Sequence, residues 1–486
     1  RPDQQEVALN VACLGRLVDN LLERATTRGS SSDSAVCSAL GRQCARFIRE
    51  ELLSIRSTLS SDGLGCAQQF PLPFRLVLAQ RIRDCHKLFA SSSQLGEWQS
   101  PPMAQSVGSP TSHRQHTLSA LGYDYKRHVH LDALAYEAAF TQEYLPSFAS
   151  THIARVTSSG MSALTTAAHY VARRADCSLP VGFSPGTYHE SQFVLSQIFG
   201  SRAVAADPLL GQENGPYAAL FLEPVTNSRR SETAHLDAFF ANAPRLLAPG
   251  GVIVVDDTML GDSQSLFQLA ERHSLLDRVI VIQSLAKLHQ AGLDLVTGGV
   301  MLYPAQFEGA PFGPATLRTH LGTHMSDQCA ATLPRPDREL MQLRLGRIHR
   351  NVNLLTDTLS SLHSLDARSI LSGISHPSLS AEGSLPYEPW GIGFKGGCVN
   401  LAIHAHGSEP RLCKEVIARA LEAAEERQVP LVAGTSFGFD CTRICLVESN
   451  LPGFQPFLRV SPGTETEAEM DAVLAVITKA LTESAH

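Results

Sequence analysis

From about Thr151 onward, short apolar runs end in polar residues and alternate with amphipathic stretches, and this rhythm constrains the fold more than any other feature. Ala218–Leu222 runs into Glu223-Pro224, Val252–Val255 into Asp256-Asp257, and Val279–Ile282 into Gln283-Ser284; Gly299–Leu302 is a fourth run. Leu236–Leu247 and Gln264–His273 between them have helical spacing. Strands of four to six residues, apolar on both faces and separated by helices, describe an α/β domain with a mostly parallel sheet. Ligands of such sheets sit beyond the carboxyl ends of the strands, so the residues after each run are where chemistry is expected.

The flanking regions differ in texture. Residues 1 to about 60 read as two helices, the first with an apolar stripe from Val7 to Leu22, the second carrying Phe47, Ile48, Leu52 and Ile55. Ser91 to Ser119, with Pro101, Pro102 and Pro110, reads as a polar linker. Asp337–Leu362 is a long helical pattern. It leads to a smaller α+β unit with strand-like Cys398–Ile403 and Leu458–Val460 and helices over Leu412–Glu426 and Glu467–Leu481. The expected division is a helical extension over 1–115, a large α/β domain over 116–335, and a linking helix with a small domain over 336–486.

The 486 residues are 43% hydrophobic, with 40 Lys+Arg against 47 Asp+Glu and a formal charge of −7. That composition excludes disorder and coiled coil, and without a long basic run it argues against nucleic-acid and anionic-membrane partners. No apolar run approaches membrane-spanning length, so a soluble, cytoplasmic chain is expected. The eleven cysteines form no C-x-x-C pair and the histidines no H-E-x-x-H spacing, so no metal site is expected.

Four features fall at strand ends or helix starts. Thr157-Ser158-Ser159-Gly160-Met161-Ser162 precedes an apolar helix, and free amides with small hydroxyl residues at a helix start favour an anion. Asp256 closes one strand and needs donors or a cation to remain ionised. Lys287 follows the next strand, 31 positions on, where burial is costly unless the amine is covalently used or paired. Arg459 lies inside the apolar run Leu458–Val460 and suits a planar carboxylate. Read singly, each has a plain structural alternative: a helix cap, a salt bridge, an edge strand. Leu247–Gly251 before a strand also suggests a methyltransferase turn, but no G-x-G-x-x-G follows an earlier strand.

As a set, the motifs resemble pyridoxal-phosphate enzymes of aspartate-aminotransferase fold (fold type I), within them the Cys/Met-metabolism, cystathionine γ-synthase-like family. Ser158-Ser159-Gly160-Met161 resembles its phosphate loop, Tyr188 its ring-stacking tyrosine, and Glu223-Pro224-Val225-Thr226-Asn227 the turn whose Asn lies beside the cofactor. Asp256-Asp257-Thr258 resembles D-N-T, and Ser284-Leu285-Ala286-Lys287 resembles S-x-T-K. Arg459-Val460-Ser461 resembles the R-L-S strand, and Tyr125-Lys126-Arg127 resembles Y-x-R. The likeness spans about residues 122 to 486. It implies a three-layer large domain and pyridoxal 5'-phosphate held by Ser159, Gly160, Met161, Tyr188, Asn227, Asp256, Thr258, Ser284 and Lys287. Tyr125 and Arg127 of a neighbouring subunit complete that set, hence a homodimer or homotetramer with shared sites. It further implies Lys287 as Schiff-base lysine and general base, Asp256 against the ring nitrogen, and Arg459 on the substrate carboxylate.

Several positions depart from the family. His128-Val129-His130-Leu131 replaces G-N-P-T, Ala286 replaces the Thr before the lysine, and Ser436–Thr442 with Arg443 replaces S-L-G-G-x-E-S. These changes put His128, His130, Ser436 and Arg443 on the expected substrate side. The implied reaction is γ-elimination or γ-replacement, through a vinylglycine-like quinonoid intermediate, on an amino acid with a γ-leaving group of O-acylhomoserine or S-adenosylmethionine type, with specialised metabolism one setting for it. The alternatives are β-elimination (a C–S lyase), transamination, or a degenerate fold acting as a binding protein.

Overall fold

Strand segments that alternate one residue to each face can bury both sides of a sheet only between two helical layers. The computed structural model describes residues 2–30, 39–60, 70–93, 130–174, 178–205, 216–309, 312–365, 369–380, 385–403, 409–449 and 454–483. Its larger sheet comprises β1 (His152–Thr157), β2 (Val181–Phe183), β3 (Ala203–Ala205), β4 (Tyr217–Leu222), β5 (Leu247–Asp256), β6 (Val279–Ser284) and β7 (Gly299–Pro304), in the order β1-β7-β6-β5-β4-β2-β3. Only β7 runs against its neighbours; the remaining pairings are parallel. The mostly parallel sheet expected from the sequence is present.

Odd and even residues go to opposite faces. Ala219, Phe221, Val252, Val254, Ile280 and Ile282 pack against the helix Gly160–Arg174 through Ala163, Leu164, Ala167 and Tyr170. Leu220, Leu222, Ile253, Val255, Val279 and Val281 face the helices Leu131–Tyr144, Leu236–Leu246 and Ser263–Arg272 through Phe140, Phe239, Phe240 and Phe267. Each fully buried ring contributes roughly 2–3 kcal/mol.

The helix Arg338–Leu365 carries the chain to a second sheet. This sheet comprises β8 (Leu371–Ser375), β9 (Val399–Ile403), β10 (Val432–Ala433), β11 (Arg443–Val447) and β12 (Phe457–Ser461), in the order β10-β11-β12-β9-β8. Helices Glu409–Glu426 and Glu467–Glu483 pack on it.

At the other end of the chain, helices Pro2–Ser30, Ala39–Ser60 and Leu72–Ser93 form a unit with its own apolar core, including Leu17, Val18, Ile48, Leu52, Leu78 and Ile82. The third of these helices corrects the sequence reading, which has two. Its buried face includes Arg75 and His86, and their partners lie hundreds of residues away, in the Glu469 carboxylate (2.7 Å) and the Thr332 carbonyl (3.0 Å).

Candidate active site

Because β1 and β4–β6 run the same way, their carboxyl ends, and the start of antiparallel β7, reach one edge of the large sheet. The segments Ser158–Met161, Glu223–Asn227, Asp256–Thr258, Ser284–Lys287 and Thr297-Gly298 therefore converge. The second sheet closes the space with Cys445 on β11 and Arg459 on β12, and the segment between β10 and β11 adds Thr435, Ser436 and Phe437. The result is a cavity of about 530 Å³ lined by Ser159, Gly160, Met161, Tyr188, Asn227, Asp256, Thr258, Ser284, Lys287, Ser436 and Arg459 among others. A neighbouring cavity of about 510 Å³, between His235 and His376, shares Glu223 with it but holds neither Lys287 nor Arg459.

One end of the cavity is the start of the helix Gly160–Arg174. Ser159 Oγ accepts from Ser162 N (3.0 Å), capping the helix, and the amides of its first turn have no intrahelical acceptor. Close approach demands glycine here: a Cβ on Gly160 would meet Ser284 Cβ at 3.0 Å, and one on Gly299 would overlap the Ser159 carbonyl. Thr258 Oγ1 accepts from Ser284 N (2.9 Å), tying two strand ends together.

The floor is acidic. Asp256 accepts from Thr258 N (3.0 Å), and burial raises its carboxyl above the ordinary value. Glu223 accepts from Tyr188 N (2.6 Å) and Asn227 N (3.1 Å); burial, then the nearby Asp256, push it up to about 8. Asn227 Oδ1 is buried and has no hydrogen-bond partner among the described residues. Burial and the adjacent Glu190 carboxylate raise the Tyr188 phenol above its ordinary range.

Lys287 Nζ donates to Ser436 Oγ at 2.7 Å and lies 5.8 Å from the Phe437 ring centre. Burial lowers its pKa; Arg459 and Arg443 act the same way, against Cys398 and Asp294. Ser436 sits at φ +82°, a conformation that L residues seldom hold without constraint. Arg459, buried in the middle of β12, donates Nε to Asn400 Oδ1 (2.9 Å). Asn400 is itself held by Ser228 O (2.8 Å) and Ser231 Oγ (2.7 Å). One edge of the guanidinium is thereby fixed, and its fork is left for a carboxylate.

Two expected substrate-side residues lie elsewhere. Arg443 is not among the cavity-lining residues: its guanidinium stacks 3.3 Å over Phe439, donates to Thr435 O (3.0 Å) and faces Asp294 at 3.8 Å. His130 precedes the helix Leu131–Tyr144 and packs its ring 5.0 Å from that of His324. Tyr125, Arg127 and His128 lie outside the described residues.

The sequence alone gives no role to Glu223, Asn400 or Glu190. Glu223 had the signal already used for Asp256, a carboxylate directly after a buried strand. Asn400 follows Val399 in an apolar run, as Arg459 follows Leu458, and β9 pairs the two directly.

No protein-family model matches the chain. Among curated proteins it is similar to the bifunctional enzyme flvA of Aspergillus flavus, 27% identical over 329 residues. The match covers 64% of this chain, which spans 37% of that protein's length. Among solved structures it is similar to cystathionine gamma synthase from Xanthomonas oryzae pv. oryzae (TM-score 0.57, 17% identity, 76% of this chain and 90% of that one). A methionine gamma lyase from Micromonospora echinospora gives 0.55, 20%, 74% and 88%. An O-acetylhomoserine (thiol)-lyase from Campylobacter jejuni, with an N'-pyridoxyl-lysine-5'-monophosphate, gives 0.53, 16%, 79% and 92%. The chain has the fold these proteins share, the aspartate-aminotransferase-like architecture of fold-type I pyridoxal-phosphate enzymes.

Proposed function

We propose that this chain is a pyridoxal-phosphate enzyme catalysing γ-elimination or γ-replacement on an amino acid with a γ-leaving group, of O-acylhomoserine or S-adenosylmethionine type. The observation that carries the reading is the convergence of Lys287, Asp256, Arg459 and the Gly160 helix start on one cavity.

The donor set fits the cofactor. Two buried carboxyls, Asp256 raised by its burial and Glu223 raised by burial and by Asp256, suit a cationic ring nitrogen, which Asp256 would hold. The Gly160–Met161 amides, with Ser159 and Ser284, suit a phosphate. Asn227 Oδ1, buried and unpartnered among the described residues, has acceptor capacity to offer a ring substituent. Lys287 would carry the covalent link, and Tyr188 would cover the ring face. When bound, the group supplies the electron sink that acidifies an amino acid's Cα–H bond.

The chain's own residues do the rest. Arg459, steadied by Asn400, grips the α-carboxylate through its fork and sets the direction of the Cα–H bond. Burial and the neighbouring cations favour a neutral Lys287 amine, so Nζ accepts the Cα proton and passes a proton at Cβ. Ser436 Oγ keeps Nζ over that path. Tyr188, whose phenol burial and Glu190 keep protonated at neutral pH, would donate to a leaving group. The proposal includes a homo-oligomer with shared sites, since Tyr125 and Arg127 are read as serving a neighbour's phosphate; sedimentation analysis tests that part.

The main test adds pyridoxal phosphate to the purified protein. Near-visible absorption is expected in the parent and absent in Lys287→Ala, with turnover lowered roughly a thousandfold or more. Release of 2-oxobutyrate, or a γ-substituted product, from acylhomoserines or S-adenosylmethionine supports the reading. Pyruvate release or conversion of the cofactor to its pyridoxamine form replaces it with β-elimination or transamination. A parent protein indistinguishable from Lys287→Ala refutes it altogether.

A further inference from the structure

The loop after Lys287 is gripped from two sides. Ala291, Leu293 and Leu295 are buried in the apolar core of the N-terminal helices, beside residues such as Leu17 and Ile82. Arg83, on the helix Leu72–Ser93, donates Nε to the Leu293 carbonyl at 2.5 Å. Within the loop, Gln290 accepts from Leu295 N (2.6 Å) and Val296 N (3.1 Å) and donates to Val296 O (2.5 Å). On the opposite side, a Cβ at Gly292 would lie 2.5 Å from the Arg344 guanidinium. Arg344 in turn holds Asp440 (2.5 Å) and the Gly438 carbonyl (3.2 Å). Gly438, at φ +88°, lies against the Lys287 carbonyl and is two residues from Ser436, the acceptor of the lysine amine.

The loop backbone needs such a grip. Ala291 and Asp294 both sit at φ +50° and Gly292 at φ +82°. Non-glycine residues held there are strained and persist only where their surroundings over-determine them. The helical unit is also moored to the body close by. Arg24 donates to the Leu333 and Ala331 carbonyls (2.8 and 2.7 Å), and Arg16 pairs with Asp337 (2.8 Å).

We propose that the N-terminal helical unit is a brace for the active-site lysine, in which Arg83 and Leu293 are positioning residues that keep Lys287 buried and in register with Ser436. This rests on the proposed role of Lys287 and adds a function for the helices, which the sequence leaves unassigned. Loosening the brace hydrates the loop, so the lysine amine regains its ordinary basicity.

The test uses the whole 486-residue chain without cofactor, so its outcome is independent of whether pyridoxal phosphate is the partner. Amide exchange is followed over residues 288–296, together with the pH dependence of Lys287 labelling by an amine-reactive reagent, read by mass spectrometry. Arg83→Gln and Leu293→Ala are expected to raise loop exchange roughly tenfold and to move the labelling midpoint up toward the ordinary 10.5. Arg83→Lys, which keeps a donor, is expected to restore part of both. Arg81→Gln breaks the Arg81–Glu51 pair (2.6 Å) inside the helical unit and is expected to leave both unchanged. The idea is overturned if Arg83→Gln and Leu293→Ala leave exchange and midpoint as in the parent, whatever the melting temperature does. It is equally overturned if Arg81→Gln shifts them as much, because the helices would then act only through global stability.

Discussion

In Glu223→Gln the cavity floor keeps its shape and loses one ionisable carboxyl. The folded protein holds Glu223 protonated up to about pH 8, against 4.5 for an ordinary glutamate. Below 4.5 folded and unfolded chains are both protonated and the site contributes no pH dependence. Between the two values only the unfolded chain releases the proton, so stability falls as pH rises, and above about 8 the loss is complete. At ~1.4 kcal/mol per pH unit, a gap of about 3.5 corresponds to roughly 5 kcal/mol. Glutamine avoids that loss but brings its own cost. Both oxygens of the carboxyl, protonated or not, can accept, whereas the amide has one accepting oxygen, so its NH₂ opposes either Tyr188 N or Asn227 N, at about 1–3 kcal/mol. The variant is therefore expected to be less stable than the parent near pH 5 by up to about 2 kcal/mol, because the unfolded parent is already partly ionised there, and more stable near pH 9 by about 2–4 kcal/mol. Urea unfolding of both cofactor-free proteins between about pH 5 and pH 9, read at the first cooperative transition, gives the difference directly. Groups common to both chains cancel. A difference constant to within about 1 kcal/mol over that range, or a variant weaker at every pH, would refute the protonated-floor argument.

Three further outcomes are expected. Arg459→Lys keeps the charge but loses the planar fork and the Nε bond to Asn400; KM for the amino acid is expected to rise roughly 10- to 100-fold with a smaller change in kcat, measured by initial rates. His289→Phe removes a histidine that burial holds at about 3, below its ordinary 6.5. Its contribution is intact above 6.5 and lost as pH falls through 3, so the variant's melting temperature is expected to decline less steeply on the acid side. At neutral pH the same variant is expected to melt lower, because Gln283 Oε1 loses its 2.8 Å partner.

The interior of the large sheet was legible because burial on both faces leaves little choice of residue: β4 to β7 read as continuous apolar runs whose carboxyl ends agree within two residues, while β5 starts five residues before its run, at Leu247. The strands β2, β3 and β10, two or three residues long, carry too little pattern to be seen. The helix Leu72–Ser93 was hidden for another reason. Its buried positions follow the helical period, but Arg75 and His86 occupy two of them, and only remote partners make those polar groups acceptable. At the site the same line divides the residues. Asp256 and Lys287 stand where a strand end alone marks a ligand position. Asn400 matters only because β9 and β12 pair in one register, and Arg443 turns away because Phe439 and Asp294 receive it.

Electrostatic coupling within the site has a direction. Arg459 is one of the cations that depress the Lys287 amine. On the proposed function, an α-carboxylate bound to its fork would neutralise that field, so the amine would become more basic once a substrate is seated, when it would have a Cα proton to accept. Burial would oppose the change, because a seated substrate would displace water from Nζ and penalise its charged form. The Ser436 hydroxyl limits that penalty by offering an oxygen to the ammonium at 2.7 Å. Arg459→Lys separates the two roles of the arginine. The charge persists, so the depression of Lys287 is largely kept, while the orientation of the carboxylate is lost. A variant whose binding weakens while the pH dependence of its chemical step stays in place therefore assigns Arg459 chiefly to geometry. A parallel shift in that pH dependence assigns it also to tuning the base.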